Sequence, residues 1–317
     1  MNETMSRERP EAARERSTWP SVLIVIPTRN RPAQVRQAIA SVREQDYPGD
    51  VTIVVVYDGT EPDQALADGD RVLVISNDRK PGLAGARNCG ILAVDADFVA
   101  FCDDDDRWLP GKLRLQVAAV QASAGAEFSS CGILVVFEGK ATQRLAGSAR
   151  VTHHDLIRSR MVMVHSSTYL ASRAALLDGI GLVNEGIPGD QNEDWDLALR
   201  AAARHPIVNV DQPLVAVAWG SSSHYETQWQ TKADSLRWML EHHGDLTKDH
   251  AGAARVYAQL AFAYACLGQR AESYRWIGKA LRHNVLEPRV PFAAAVAAGV
   301  ASGDRVLRTL HARGRGI

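Results

Sequence analysis

Between residues 21 and 102, short runs of consecutive apolar residues alternate with longer stretches in which apolar positions recur three and four apart. The run Val22-Leu23-Ile24-Val25-Ile26 and the stretches 51–56, 72–75 and 98–101 are too short for helices and rich in β-branched residues, and Pro, Gly, Asp or Asn bounds them. They are predicted to be buried strands. Stretches 32–45 (Val35, Ala38, Ile39, Val42) and 83–94 (Ala84, Ile91, Leu92) instead carry the period of a helix lying on a sheet. Strand, helix and strand in turn predict an α/β domain with a mostly parallel central sheet flanked by helices. After Pro110 a helix through Leu113, Val117 and Val120 and a strand over 128–137 follow, and the pattern is then irregular to residue 219.

From about residue 235 the texture becomes Ala-rich and helical. Residues 254–288 carry Tyr257, Leu260, Ala261 and Tyr264, then Gly268-Gln269, then Ala271, Tyr274, Ile277, Ala280 and Leu281. This is the form of one tetratricopeptide-like helical hairpin. A single unit cannot stack as a solenoid, so it is expected to pack on the main domain or on a partner. From residue 251 to 317, ten Arg or Lys stand against three Asp or Glu. That excess is either a solvated basic face or a peripheral contact with a protein, an acidic membrane surface or an acidic glycan. The chain divides into a disordered leader (1–20), the α/β domain (21–234) and a C-terminal helical region (235–317).

Composition narrows the class. With 317 residues, 46% hydrophobic and 23% charged, the chain can bury a sizeable core. Thirty-six Lys and Arg balance 37 Asp and Glu, which argues against nucleic acid as a partner and against a disordered chain. Cys89, Cys102, Cys131 and Cys266 form no C-x-x-C pair, a usage that fits a reducing, cytoplasmic compartment. The first 20 residues are charged throughout, unlike a signal peptide. The apolar run 290–300 contains Pro291 and is shorter than the roughly 20 residues a membrane span needs.

The strongest chemical signal is Asp103-Asp104-Asp105-Asp106, directly after a predicted strand and ahead of Arg107-Trp108-Leu109-Pro110. Crowded carboxylates raise one another's pKa unless a cation or donors stabilise them, and hard oxygen ligands suit Mn2+ or Mg2+. In open α/β sheets, ligands sit at the carboxyl ends of strands, where this cluster falls. A single Asp capping the following helix would explain one of the four, not all. A second acidic group, Glu193 and Asp194, lies where a helix after Gly189-Asp190-Gln191-Asn192 would begin. Acids at that position complement the helix dipole, and a carboxylate there can also take a proton from an attacking hydroxyl.

Five segments in order resemble a family 2 glycosyltransferase of the GT-A fold over residues 21–219. Val25-Ile26-Pro27-Thr28-Arg29-Asn30-Arg31 is similar to the family's opening strand and nucleotide loop, and Val55-Val56-Tyr57-Asp58-Gly59-Thr60 to its D-D-G-S segment, with Tyr57 in place of the first Asp. Gly82 to Ala86-Arg87-Asn88-Cys89-Gly90 resembles G-x-x-x-A-R-N-x-G, and Asp103 to Pro110 the D-x-D-D-x-W-x-P metal motif. Glu193-Asp194-Trp195-Asp196-Leu197-Ala198-Leu199-Arg200 resembles the helix start that carries the base.

The resemblance implies a metal-dependent inverting transfer from a nucleoside-diphosphate sugar donor to a carbohydrate, lipid-linked or small-molecule acceptor. It places Pro27, Thr28 and Asn30 beside the nucleotide, Asp58 at the base, and Arg87 and Asn88 towards the phosphates. Asp103 is expected near the ribose with Asp104 flanking it, Asp105 on the metal, Asp194 as general base and Glu193 beside the acceptor. Trp108 either walls the donor pocket or plugs the core. His224, in a Gly/Ser loop, is a candidate metal or phosphate ligand, and His165 a candidate for the acceptor pocket. Two other classes compete. A nucleotidyltransferase also uses paired Asp but wants a Gly-rich phosphate loop after the first strand, and residues 27–32 contain no Gly. A non-catalytic helical scaffold would have lost the motif acids, which are present.

Overall fold

The computed structural model describes residues 19–137, 139–218 and 228–311. Residues 1–18 of the expected leader, and His224, lie outside the described residues. The first half follows the apolar pattern: β1 (Val22–Thr28), α1 (Pro32–Arg43), β2 (Val51–Tyr57), β3 (Val72–Ser76), α2 (Leu83–Ala93) and β4 (Phe98–Phe101). Next come β5 (Arg107–Trp108), α3 (Lys112–Gln121), β6 (Phe128–Phe137), β7 (Lys140–Arg144), β8 (Arg150–Val151) and α4 (His153–Arg158). The domain continues through β9 (Leu170–Ser172), α5 (Arg173–Asp178), α6 (Glu193–Arg204) and β10 (Ile207–Ala218). The remainder is helical: α7 (Trp229–His242), α8 (His250–Cys266), α9 (Arg270–His283), α10 (Val290–Ala297) and α11 (Gly303–His311).

The sheet runs β3-β2-β1-β4-β9-β6-β10-β5, with β7 on β6 and β8 on β10. Strands β3, β2, β1 and β4 are parallel, as the βαβ pattern predicts. The second half departs from the expected parallel sheet: β9 is antiparallel to both β4 and β6, while β6 and β10 are parallel to each other. The sheet is therefore mixed. Three-residue β9 is too short to show a period of its own, and it binds the two parallel sets together.

Alternate residues of β1 enter opposite cores, which explains its unbroken apolar run. Leu23 and Val25 join one face with residues of α2, α4, α6, α7 and α8; Val22, Ile24 and Ile26 join the other with α1 and α3. Helix α2 lies hard on β1 through Gly90, where a Cβ would come within 2.4 Å of Val25 Cγ1. Ala233, Leu236 and Met239 of α7 and Val256, Leu260, Ala263 and Tyr264 of α8 belong to the same core as the sheet's first face. The other side of α8 (Ala258, Ala261, Phe262) packs against α9, α10 and α11. The hairpin of α8 and α9 thus rests on the α/β domain. No helix among the described residues is long and apolar enough to cross a membrane.

Candidate active site

Strand β4 ends at Phe101, and the chain turns so that its four Asp side chains separate. Asp103 accepts from Arg87 Nη2 at 2.6 Å and from the Ser166 hydroxyl at 2.9 Å. Asp104 accepts from the Thr28 hydroxyl at 2.7 Å and from Arg31 at 2.9 Å. Asp105, with 40% of its side chain exposed, is held by Arg31 at 2.8 Å. Asp106 turns inward, 3.6 Å from His165 Nδ1.

Asp103, Asp106 and His165 bring one ligand atom each to within 4.8 Å of one another. Asp106 Oδ2 is buried with no hydrogen-bond partner among the described residues. Burial, with Asp103 and Asp105 nearby, pushes the Asp106 carboxyl well above its ordinary value. Burial also works against ionised Asp103, but Arg87 and His165 outweigh it and hold that group below the ordinary range. An orphaned buried carboxylate oxygen beside a second carboxylate and an imidazole nitrogen fits a divalent cation of the Mn2+ or Mg2+ type. Asp105, the ligand expected from the motif, and Asp103 thus share the motif with a third acid, Asp106, that the structure brings closer to Asp103 and His165.

Arg87 is almost fully buried and joins the two acidic groups. Its Nη1 lies 2.5 Å from Glu193 Oε1 while its Nη2 holds Asp103. These carboxylates overcome the cost of burial and raise the guanidinium's pKa, so it is a permanent cation between them. Helix α6 opens at Asn192 in the left-handed conformation (φ 69°), which turns Glu193 and Asp194 back towards the sheet. Asp194 accepts from Arg160 Nη2 through Oδ1 at 2.7 Å and Oδ2 at 2.8 Å, and from its neighbour's backbone N–H at Trp195. Burial and the adjacent Asp194 push the Glu193 carboxyl up to about 7 against the pull of Arg87.

The remaining expected residues divide into two groups. Thr28 sits in the cluster through Asp104, and buried Pro27 lies just before it at the end of β1. Asn30 is exposed with φ 57°. Asp58 accepts from Asn77 at 2.9 Å and from the Gly82 N–H at 3.0 Å, which ties the end of β2 to the start of α2. Asn88 faces the interior: its amide N–H donates to the Val183 carbonyl and to Glu185 Oε1, and its Oδ1 accepts from the Val183 N–H. Trp108 is buried, donates to the Ser167 carbonyl at 3.1 Å and has Lys112 Nζ 3.9 Å from its ring centre. It fills the core beneath the acids. Two arginines were given no role by the motif reading, Arg31 and Arg160; the signal for Arg160 was its place, with Arg158, directly before the apolar run Met161-Val162-Met163-Val164.

A mixed sheet with acids at the carboxyl end of β4 and at the N-terminus of α6 is an arrangement of the GT-A type. Residues 23–165 match the family model described as Glycosyl transferase family 2. The chain is 27% identical over 155 residues to the GalNAc(5)-diNAcBac-PP-undecaprenol beta-1,3-glucosyltransferase of Campylobacter jejuni, covering 47% of this chain and about half (49%) of that relative. Its fold is shared with TarS 1-349 of S. aureus in complex with UDP, at 17% identity and a TM-score of 0.60, covering 93% of this chain and 92% of the other. The mannosyltransferase PcManGT of Pyrobaculum calidifontis, in complex with GDP-Man and Mn2+, is similar at 18% identity and a TM-score of 0.52, over 88% of this chain and 86% of the other.

Proposed function

We propose that the chain is a metal-dependent inverting glycosyltransferase that moves a sugar from a nucleoside-diphosphate donor to an acceptor hydroxyl. The observation that carries this reading is the Arg87 bridge, which sets the Asp103 cluster and the Glu193–Asp194 pair on either side of one guanidinium. A leaving diphosphate and an attacking hydroxyl need such opposite groups close together. Asp103, Asp106 and His165 are the groups to hold Mn2+ or Mg2+, with Asp105 at the exposed rim. A divalent cation bound there would offset the charge that gathers on the departing diphosphate.

Asp194 acts as the base in this reading. Arg160 and the Trp195 N–H fix its plane, and Oδ2, which accepts from Arg160 alone among the described residues, keeps a lone pair for the acceptor proton. Thr28 and Arg31 hold Asp104 at the end of β1, where Pro27, Thr28 and Asn30 border the nucleotide. The relative that acts on a polyprenol-linked saccharide supports a lipid-linked acceptor, and the basic excess of the C-terminal helices suits an anionic membrane face. The deciding experiment incubates the protein with Mn2+ or Mg2+ and a panel of nucleotide sugars. Slow hydrolysis of one donor supports the reading; inertness towards all of them, with and without acceptor lipids, ends it.

A further inference from the structure

Arg255 stands alone in the Ala-rich stretch of α8, yet it is only 6% exposed. Its guanidinium carbon lies 4.9 Å from the centre of the Trp195 ring, and its Nη1 makes a long contact of 3.5 Å to Gln259 Oε1. Its Nε and Nη2 have no hydrogen-bond partner among the described residues. A buried, unpaired guanidinium is costly, and stacking on one indole recovers only part of that cost.

Its surroundings add positive charge. Helix α8 presses on the end of α4 at Gly252, where a Cβ would lie 2.3 Å from the Ile157 carbonyl oxygen, and Arg255 is on that same helix face. Trp195 is tied to this segment by its indole N–H, 3.0 Å from the Leu156 carbonyl. The segment leads directly to Arg160, which grips Asp194, the neighbour of Trp195. On the other side, Arg289 opens α10, which packs on α8. Arg289 binds buried Glu287 at 2.7 Å but leaves its own Nε unpartnered among the described residues. Arg160 is paired with Asp194 and Arg289 with Glu287, whereas Arg255 has no carboxylate among its hydrogen-bond partners in the described residues. Burial, with Arg289 and Arg160 nearby, lowers the Arg255 pKa to about 9, which still leaves it charged at neutral pH. Arg255 is buried, whereas Arg160 and Arg289 keep 29% and 27% of their side chains exposed.

We propose that Arg255, Arg289 and Arg160 form a binding site for a phosphoryl group of the acceptor, beside the base Asp194. The inference rests on the transferase reading for the word acceptor; the anion site itself does not. The unpaired N–H groups belong to two guanidiniums on different elements, and a tetrahedral phosphoryl group offers oxygens in more than one plane, which a carboxylate does not. Such a site would select an acceptor whose sugar hydroxyl is carried on a phosphate or diphosphate and would hold that hydroxyl near Asp194. The same chemistry is met in a lipid-carrier headgroup and in a free sugar phosphate.

The test uses the full chain in EDTA, which denies a diphosphate any metal at the Asp103 cluster, and reads the melting temperature. Inorganic pyrophosphate is expected to raise it by at least about 3 °C at saturation, and malonate is expected to leave it unchanged. The shift should vanish in Arg255→Met, which keeps the stem against Trp195, and at least halve in Arg289→Gln. A detergent-dispersed prenyl diphosphate acting at tenfold lower concentration than pyrophosphate assigns the lipid headgroup, and equal potency assigns a free phosphoryl ligand. No shift in the wild type, or a full shift in Arg255→Met, overturns the site; malonate as effective as pyrophosphate overturns its phosphoryl character. Should Arg255→Met not fold, an undiminished shift in Arg289→Gln overturns the proposal. Donor hydrolysis by the wild type in Mn2+ is followed in parallel: its absence beside an intact pyrophosphate shift ends the transferase reading alone.

Discussion

The Nη2 of Arg160 lies 2.7 Å from one oxygen of Asp194 and 2.8 Å from the other. A carboxylate held in this way is fixed in plane, which suits a group that must accept a proton without moving. Asp194→Asn keeps the shape and removes the acceptor. Its turnover is expected to fall by about 10²- to 10⁴-fold, with the donor dissociation constant unchanged within a few-fold. Steady-state kinetics beside calorimetry separate the two quantities. Turnover surviving within a few-fold moves the base to Glu193; a collapse of donor affinity would place Asp194 in the donor site instead.

Metal dependence is the second expectation. Titration of UDP, GDP and dTDP by calorimetry should show tight binding with Mn2+ and little in EDTA. Asp106→Asn removes the orphaned oxygen and should abolish the metal-dependent part. Asp104→Ala, which loses contacts to Thr28 and Arg31, should be milder. Asp105→Ala discriminates between the motif reading, which gives it a metal bond, and the Arg31 pair that the structure shows. Equal tight binding in EDTA removes the metal from the mechanism.

The raised pKa of Glu193 has a definite sign in stability. The folded state holds this proton more firmly than the unfolded chain, so the contribution is complete below the ordinary carboxyl value and is lost as pH rises through about 7. In the metal-free protein, the melting temperature should fall over that interval relative to Glu193→Gln, in which the slope is absent. Parallel curves for the two proteins would mean that Arg87 keeps Glu193 ionised throughout.

The C-terminal helices should not be dispensable. Leu260 is fully buried in the core that includes Leu23 and Val25, so Leu260→Ala is expected to cost about 2–5 kcal/mol in denaturant unfolding. A chain ending at Gly244 loses Val256, Leu260, Ala263 and Tyr264 together and should be insoluble. A soluble truncated chain with undiminished donor hydrolysis would make these helices an independent unit.

The parallel half of the fold was legible because β1, and most of β2 and β4, are buried on both faces, which a run such as Val22 to Ile26 reflects. Strand β9 was not, since Leu170, Ala171 and Ser172 carry no period and gain their place only by pairing with β4 and β6. The location of the acidic site could be read from Asp103 to Asp106, but not which way each carboxylate points. That depends on Arg31, Arg87, Ser166 and His165, all more than 15 residues away in sequence. Asn88, a polar residue beside Arg87 in a motif, spends its hydrogen bonds on Val183 and Glu185, which its sequence position does not reveal. Arg255 was visible as a single cation in an apolar helix, a pattern that motif comparison passes over.

The reversed direction of β9 has a temporal consequence. Because it runs against β4, the residues that enter β9 lie at the same edge as those that leave β4, and Ser166 and His165 reach Asp103 only there. The contact closes a loop of about 60 residues, so it forms late relative to the local pairing of β1 with β2. During refolding, affinity for Mn2+ should therefore appear after the bulk of the secondary structure, and the ion would serve as a reporter for the last stage of sheet closure.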